Sequence, residues 1–249
     1  METEYNGPPI DVRDLRKSFG QQKVLDGIDL AVAPSETVAV LGLSGTGKSV
    51  LLKLLIGLQA PDSGSIRIHG EEVTTLAREE LSEIRKRIGF LFQQAALYDS
   101  LTVEENVGFP LARHSGLTAE ERKQRVRELL SNVGMEEHAA KLPSEISGGM
   151  QKRVGIARAL ALDPDILLFD EPTAGLDPIT AAEIGKLISR LKGERKMTSI
   201  VVTHDVRGTK FFSDRLVVLH EGHIVSEGTI EELERSREKF VVQFLSEVA

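Results

Sequence analysis

The chain has 249 residues, of which 41% are hydrophobic, with no cysteine and a formal net charge of −7. That length and apolar content suffice for one sizeable core, and the lack of cysteine excludes disulfides, thiolate metal sites and cysteine nucleophiles. Lys and Arg are interspersed with acids, as in EERKQRVRELL, so neither a nucleic-acid groove nor an anionic-membrane patch is expected.

The N-terminal METEYNGPPI lacks the basic-then-apolar pattern of a signal peptide. The longest apolar stretch, VLLKLLIGL, is short and broken by Lys53, so the chain is expected to be soluble. Phe19, in LRKSFGQQKVL, is expected before the first strands, either as a core aromatic or as a platform stacking on adenine. VLDGIDLAV and SGSIRIHG look like antiparallel strands. TVAVL (37–41) is a β-branched run that precedes a glycine loop, and KSVLLKLLIG follows the loop as a helix. IGFLF (88–92), DILLF leading into Asp170 and TSIVV (198–202) repeat the strand signal, which gives α/β with a largely parallel, buried sheet.

Between Ala95 and Leu142 the strand pattern disappears. Thr118 with Glu121 forms a capping box opening AEERKQRVRELLSNV, and Gly134 is the expected stop. A mostly helical subdomain is therefore expected over 95–162, inserted into a core made of 1–94 and 163–249, all within one domain of 1–249. RLVVLHEGHIVSEG reads as an antiparallel hairpin turning at Glu221-Gly222. In EKFVVQFLSEVA, Phe240, Val241, Phe244, Leu245 and Val248 recur at helical spacing, as a packing face does.

The loop Gly42, Leu43, Ser44, Gly45, Thr46, Gly47, Lys48, Ser49 satisfies the P-loop pattern, and Val50 continues it into the helix. Its amides suit a phosphate cradle, Lys48 the terminal phosphates and the Ser49 hydroxyl Mg²⁺. Asp170 ends an apolar strand, where it would hold the hydration sphere of Mg²⁺, and Glu171 would orient or deprotonate the attacking water. His204, closing a buried strand at THD, is placed to touch the terminal phosphate; Gln93, ending another strand, can reach the metal or the water without adding charge. Ser147, Gly148 and Gly149 open SGGMQKR, the stretch set directly before the helical VGIARALAL. Free N–H groups and a positive dipole end make such a helix start a phosphate seat. One small chain thus carries two such seats.

With GLSGTGKS, FQQ, SGGMQKR, LLFDEP, AGLD and THD in this order, residues 8–230 resemble the ATP-binding subunit of ABC transporters. The resemblance implies a P-loop NTPase core with a mostly parallel sheet, an antiparallel β subdomain and the helical insertion, together with ATP and Mg²⁺ and an ATPase reaction. It further implies two copies paired head to tail. Ser147, Gly148 and Gly149 then act on ATP held by the other copy, Asp177 of AGLD lies at the shared interface, and Gln93 and His204 are switch residues. Spacing alone leaves an intramolecular clamp open. The usual LSGGQ reads ISGGM here, and Met150 lacks the hydrogen bonds of the glutamine it replaces.

FLFQQAALYDSLTVEENVGFPLARH, with SGGM and GLDPIT, is most similar to the ATPases of bacterial Mla and Mce lipid transport. That similarity implies membrane permease subunits, a lipid-binding substrate protein and a small regulatory subunit as partners, and no nucleic acid. It also implies a place on the cytoplasmic face of the inner membrane through the permease, which would dock beside Leu97 and Tyr98. Other readings are an ABC ATPase energising a different importer or exporter, a soluble one of iron–sulfur assembly, DNA repair or translation, and a regulatory module without turnover. The last must contend with Lys48, Asp170, Glu171 and His204 all being present.

Overall fold

The apolar runs of the sequence become strands of two sheets in a computed structural model that describes residues 5–248. In chain order the elements are β1 (Ile10–Phe19), β2 (Gln22–Val32), β3 (Thr37–Leu41), α1 (Lys48–Leu55), β4 (Ser63–Ile68), β5 (Glu71–Glu72), α2 (Arg78–Lys86) and β6 (Ile88–Leu91). Three helices follow, α3 (Val103–His114), α4 (Ala119–Asn132) and α5 (Gly148–Ala159). The chain then returns through β7 (Ile166–Asp170), α6 (Pro178–Arg195), β8 (Thr198–Thr203), α7 (Val206–Thr209), β9 (Arg215–His220), β10 (His223–Gly228), α8 (Ile230–Glu234) and α9 (Lys239–Val248).

The larger sheet has the order β10-β9-β3-β8-β7-β6 and the smaller β2-β1-β4-β5. β9, β3, β8, β7 and β6 run parallel, and β10 closes one edge antiparallel to β9. Parallel strands covered on both faces read as unbroken apolar runs, which is why TVAVL, ILLF and SIVV carry no polar alternation. Their period of two sorts the side chains into two layers. Val38, Val40, Leu168, Ile200 and Val202 face α1 and the smaller sheet. Ala39, Leu41, Leu167, Phe169 and Val201 face a core shared with α3 to α6 and with α9.

Register carries this layering to the site. Leu41 is level with Thr203, Asp170 pairs with Val202, and the Glu171 N–H donates to the Val202 carbonyl at 2.9 Å. The loops leaving β3, β7 and β8 therefore open at one edge of the sheet, its carboxyl end, where open α/β sheets bind ligands.

One expectation needs correction. Phe19 does not precede the strands: it is the last residue of the ten-residue β1 and 47% exposed. β9 and β10 form the expected antiparallel hairpin, and β9 in addition pairs parallel with β3. The turn at Glu221-Gly222 is as expected, with φ 47° and 80°. Gly134, at φ 70°, follows the end of α4, and the capping box is present, the Glu121 N–H donating to Thr118 Oγ1 at 3.3 Å and the Thr118 N–H to Glu121 Oε2 at 2.7 Å. On α9, Val241, Phe244 and Leu245 are buried and Phe240 stacks on His220. The side chain of Val248 lies outside the described residues.

Candidate active site

The P-loop glycines are dictated by backbone and space. Gly45 and Gly47 sit at φ 81° and 100°, and a Cβ on Gly47 would meet Val24 Cγ1 at 2.8 Å. A Cβ on Gly42 would meet the Leu219 carbonyl oxygen at 2.5 Å, so the loop lies directly against β9. Lys48 opens α1 and is buried, its ammonium donating to the Gly42 and Leu43 carbonyls at 2.9 and 3.0 Å. Burial pulls its pKa down and the Glu171 carboxylate, 3.6 Å away, opposes the pull. The Ser49 hydroxyl donates to Asp170 Oδ1 at 2.7 Å. Burial holds the Asp170 carboxyl above its ordinary value despite that hydrogen bond.

A cavity of about 360 Å³ lies over this loop, lined by Phe19, Ser44, Lys48, Ser49, Gln93 and Glu171 among others, Val50 included. Leu43 points to solvent, 50% exposed, and Thr46 Oγ donates to the Leu43 carbonyl at 2.9 Å, bracing the loop. The residues fit ATP and Mg²⁺. A glycine loop leading into a helix start wraps a buried ammonium, and the Ser49–Asp170 oxygen pair matches a hard ion that takes few protein ligands and completes its shell with phosphate and water.

Glu171 leaves β7 in the left-handed region, at φ 47°. Its Oε2 accepts from the His204 backbone N–H at 3.4 Å and lies 3.0 Å from His204 Nδ1. His204 is thus beside the carboxylate at the same sheet edge, with a half-exposed ring. The sequence reading missed Lys152. This lysine of α5 is 4% exposed, donates to the Glu171 carbonyl at 2.9 Å and bonds the Gln93 carbonyl. Burial pushes its pKa down to about 8, against the pull of Asp170 and Glu171. A single lysine in a run such as GGMQKRVG gives no sign that it will point inward.

Ser147, Gly148, Gly149 and Asp177 do not line this cavity. Ser147 caps α5, accepting from the Met150 N–H at 3.3 Å, and both it and Gly148 are exposed. Asp177 caps α6, accepting from the Ile179 and Thr180 N–H groups at 3.0 and 3.1 Å. The two glycines differ. A Cβ on Gly149 would meet Thr180 Cγ2 at 2.4 Å, so this glycine is needed for α5 to pack on α6, whereas on Gly148 the nearest atom is Leu176 Cδ2 at 3.7 Å.

Beyond Gln93, a second cavity of about 420 Å³ is lined by Phe90, Phe92, Tyr98, Phe109, Pro110 and Arg158, among others. Tyr98 is 46% exposed and packs on Phe109 at 4.7 Å between ring centroids. Leu97, expected beside it, instead packs against the core. Buried Asn106, also missed, fixes this loop: its Oδ1 accepts from the Tyr98 N–H at 2.8 Å, and its Nδ2 donates to the Tyr98 and Leu101 carbonyls at 3.1 and 3.0 Å.

The ABC transporter family matches residues 25–174. The chain is 41% identical over 236 residues to the intermembrane phospholipid transport system ATP-binding protein MlaF of Haemophilus influenzae, covering 95% of this chain and 89% of that one. It is 43% identical over 227 residues to the methionine import ATP-binding protein MetN of Leifsonia xyli, covering 90% of this chain and 66% of that protein. Among solved structures, a dimeric ATP-binding cassette in a post-hydrolysis state, bound to ADP and Pi, superposes with a TM-score of 0.82 at 35% identity, covering 89% of this chain and 98% of that one.

Proposed function

The chain belongs to the ABC transporter family and is an ATPase that binds ATP with Mg²⁺, and we propose that it is the motor subunit of a membrane complex that moves phospholipid or a related lipid. The observation that carries the motor reading is one sheet edge that gathers Lys48, the Ser49–Asp170 pair and the Glu171–His204 pair. The lipid assignment is supported by similarity to the phospholipid transport protein along nearly the whole chain.

Each residue has a task that its surroundings allow. Lys48, already desolvated, places a positive charge where the terminal phosphates lie, and the loop amides hold their oxygens. Bound Mg²⁺ supplies charge neutralisation across the phosphate oxygens. Ser49 and Asp170 would hold that ion, and Gln93 would reach it from the neighbouring strand end. Glu171 accepts a proton from the attacking water, and the bond to His204 fixes the direction of its carboxylate. Phe19, at the rim of the cavity, offers a ring to the adenine.

The exposed Ser147-Gly148 helix start serves the ATP of a second copy, which accounts for two phosphate seats in one chain. The groove at Tyr98 and Phe109 receives the permease, since an apolar cleft backed by the Gln93 segment can feel the state of the nucleotide. No helix among the described residues is long and apolar enough to cross a membrane, and the membrane-spanning role is assigned to the permease. A second reading, methionine import, is favoured by similar identity to the methionine import protein. Purification of the native membrane complex separates the two. Co-purified phospholipid and ATP-dependent lipid transfer between vesicles are the expected results, whereas methionine-stimulated turnover without lipid transfer would replace the lipid assignment.

A further inference from the structure

Lys152 occupies a position where a cation is hard to place. It is 4% exposed, and dehydrating an ammonium costs several kcal/mol unless its donors are met. In volume and length a methionine would be the easier occupant. What the lysine gains is a pair of backbone carbonyls, that of Glu171 at 2.9 Å and that of Gln93. These belong to residues just past the ends of neighbouring strands β7 and β6, and both residues line the nucleotide cavity. Glu171 is held in the left-handed region, a conformation that is costly for a residue with a side chain and persists only when neighbours enforce it. Its N–H is tied to the Val202 carbonyl at 2.9 Å, and its carbonyl also accepts from the Ala174 N–H at 3.2 Å. Lys152 is thus the side chain that completes the enforcement. Farther along the same helix, Arg158 donates to the carbonyls of Ala95 and Ala96 at 2.6 and 2.7 Å, two more residues with positive φ. One helix therefore grips both the catalytic carboxylate's backbone and the whole 93–96 turn, and that helix begins at Ser147-Gly148-Gly149.

We propose that Lys152 is a positioning residue for hydrolysis, locking the backbone of Glu171 and Gln93 to the helix that starts with Ser147-Gly148-Gly149. Displacement of that helix start against a partner copy's nucleotide is then transmitted to this chain's own carboxylate. This rests on Glu171 being the group that handles the attacking water. Lys152→Met keeps an unbranched side chain one atom shorter and removes the donors, while Lys152→Gln keeps an N–H donor. With the full chain, Lys152→Met is expected to bind ATP within about threefold of wild type and to lose about tenfold or more in kcat, with Lys152→Gln falling between. Unchanged kcat in Lys152→Met, Lys152→Gln as slow as Lys152→Met, or ATP affinity falling in step with kcat would each overturn it. Should Lys152→Met fail to fold, Lys152→Gln decides alone: about threefold lower kcat at unchanged affinity supports the role, and unchanged kcat removes it. Glu171→Gln assayed alongside separates two failures. Normal turnover of that variant removes the carboxylate assignment, whereas its loss beside a normal Lys152→Met removes only the role of Lys152.

Discussion

Lys48 and Glu171 lie 3.6 Å apart, yet their substitutions should separate binding from chemistry. Lys48→Ala deletes the charge that meets the phosphates, so ATP affinity should fall at least tenfold in equilibrium binding. Glu171→Gln keeps the shape and cannot accept a proton, so ATP affinity should hold while turnover drops by a factor of about 10² or more. Wild-type hydrolysis by Glu171→Gln would make that carboxylate a bystander. Lys152 also leaves a signature in stability. Its folded-state pKa, near 8, lies below the ordinary 10.5, so between those two values the unfolded chain binds more protons than the folded one. Stability from this group therefore rises with pH through that window, as burial of a charge is relieved. Melting curves at pH 7.5 and 9.5 should show Lys152→Met comparing less well with wild type at the higher pH, and a pH-independent difference would mean that the lysine titrates normally.

At the scale of elements, α5 and the 93–98 segment carry the consequences. Gly149→Ala drives a methyl into Thr180, whose hydroxyl is already bonded to Asp177 at 2.6 Å, and should cost about 1–3 kcal/mol in thermal unfolding. Gly148→Ala meets only ordinary contact, so it should change stability by less than about 0.5 kcal/mol while still lowering ATPase activity. Equal stability losses at the two positions would mean that packing explains both glycines. Tyr98→Glu places a charge in the apolar groove while leaving the nucleotide cavity untouched, so permease association measured by pull-down should weaken at unchanged ATP affinity. Normal assembly of that variant would move the docking surface elsewhere. Much of this was legible in the sequence, because strands buried on both faces leave unbroken apolar runs and a P-loop fixes its own strand and helix. The β9–β10 hairpin was legible from its Glu221-Gly222 turn, whereas the parallel pairing of β9 with β3 was not, because turn chemistry is silent about the strand on the far side. Leu97, Asn106 and Lys152 were misread or missed because only the tertiary path decides which of these side chains turn inward. Asp177 shows the converse: its hydrogen bonds identify a helix cap, and a role at an interface would be added to that one.

For the whole molecule, the proposal of a paired assembly rests on the P-loop cavity and the Ser147-Gly148-Gly149 helix start being separate in one chain. The P-loop cavity is lined without Ser147, Gly148 or Gly149, and the helix they open is pinned to the core by Lys152, Arg158 and the packing of Gly149 on Thr180. In the proposed head-to-tail pair, each copy's helix start would meet the nucleotide held by the other copy's P-loop. The mass in solution of the Glu171→Gln chain, followed by light scattering at high protein concentration with ATP and Mg²⁺, tests this most directly. The expected result is a dimer of twice 27.3 kDa that forms only with ATP and is abolished by Ser147→Arg, whose bulky cation blocks the approach of backbone to phosphate. An ATP-saturated Glu171→Gln chain that stays monomeric, or a dimer indifferent to Ser147→Arg, would contradict it.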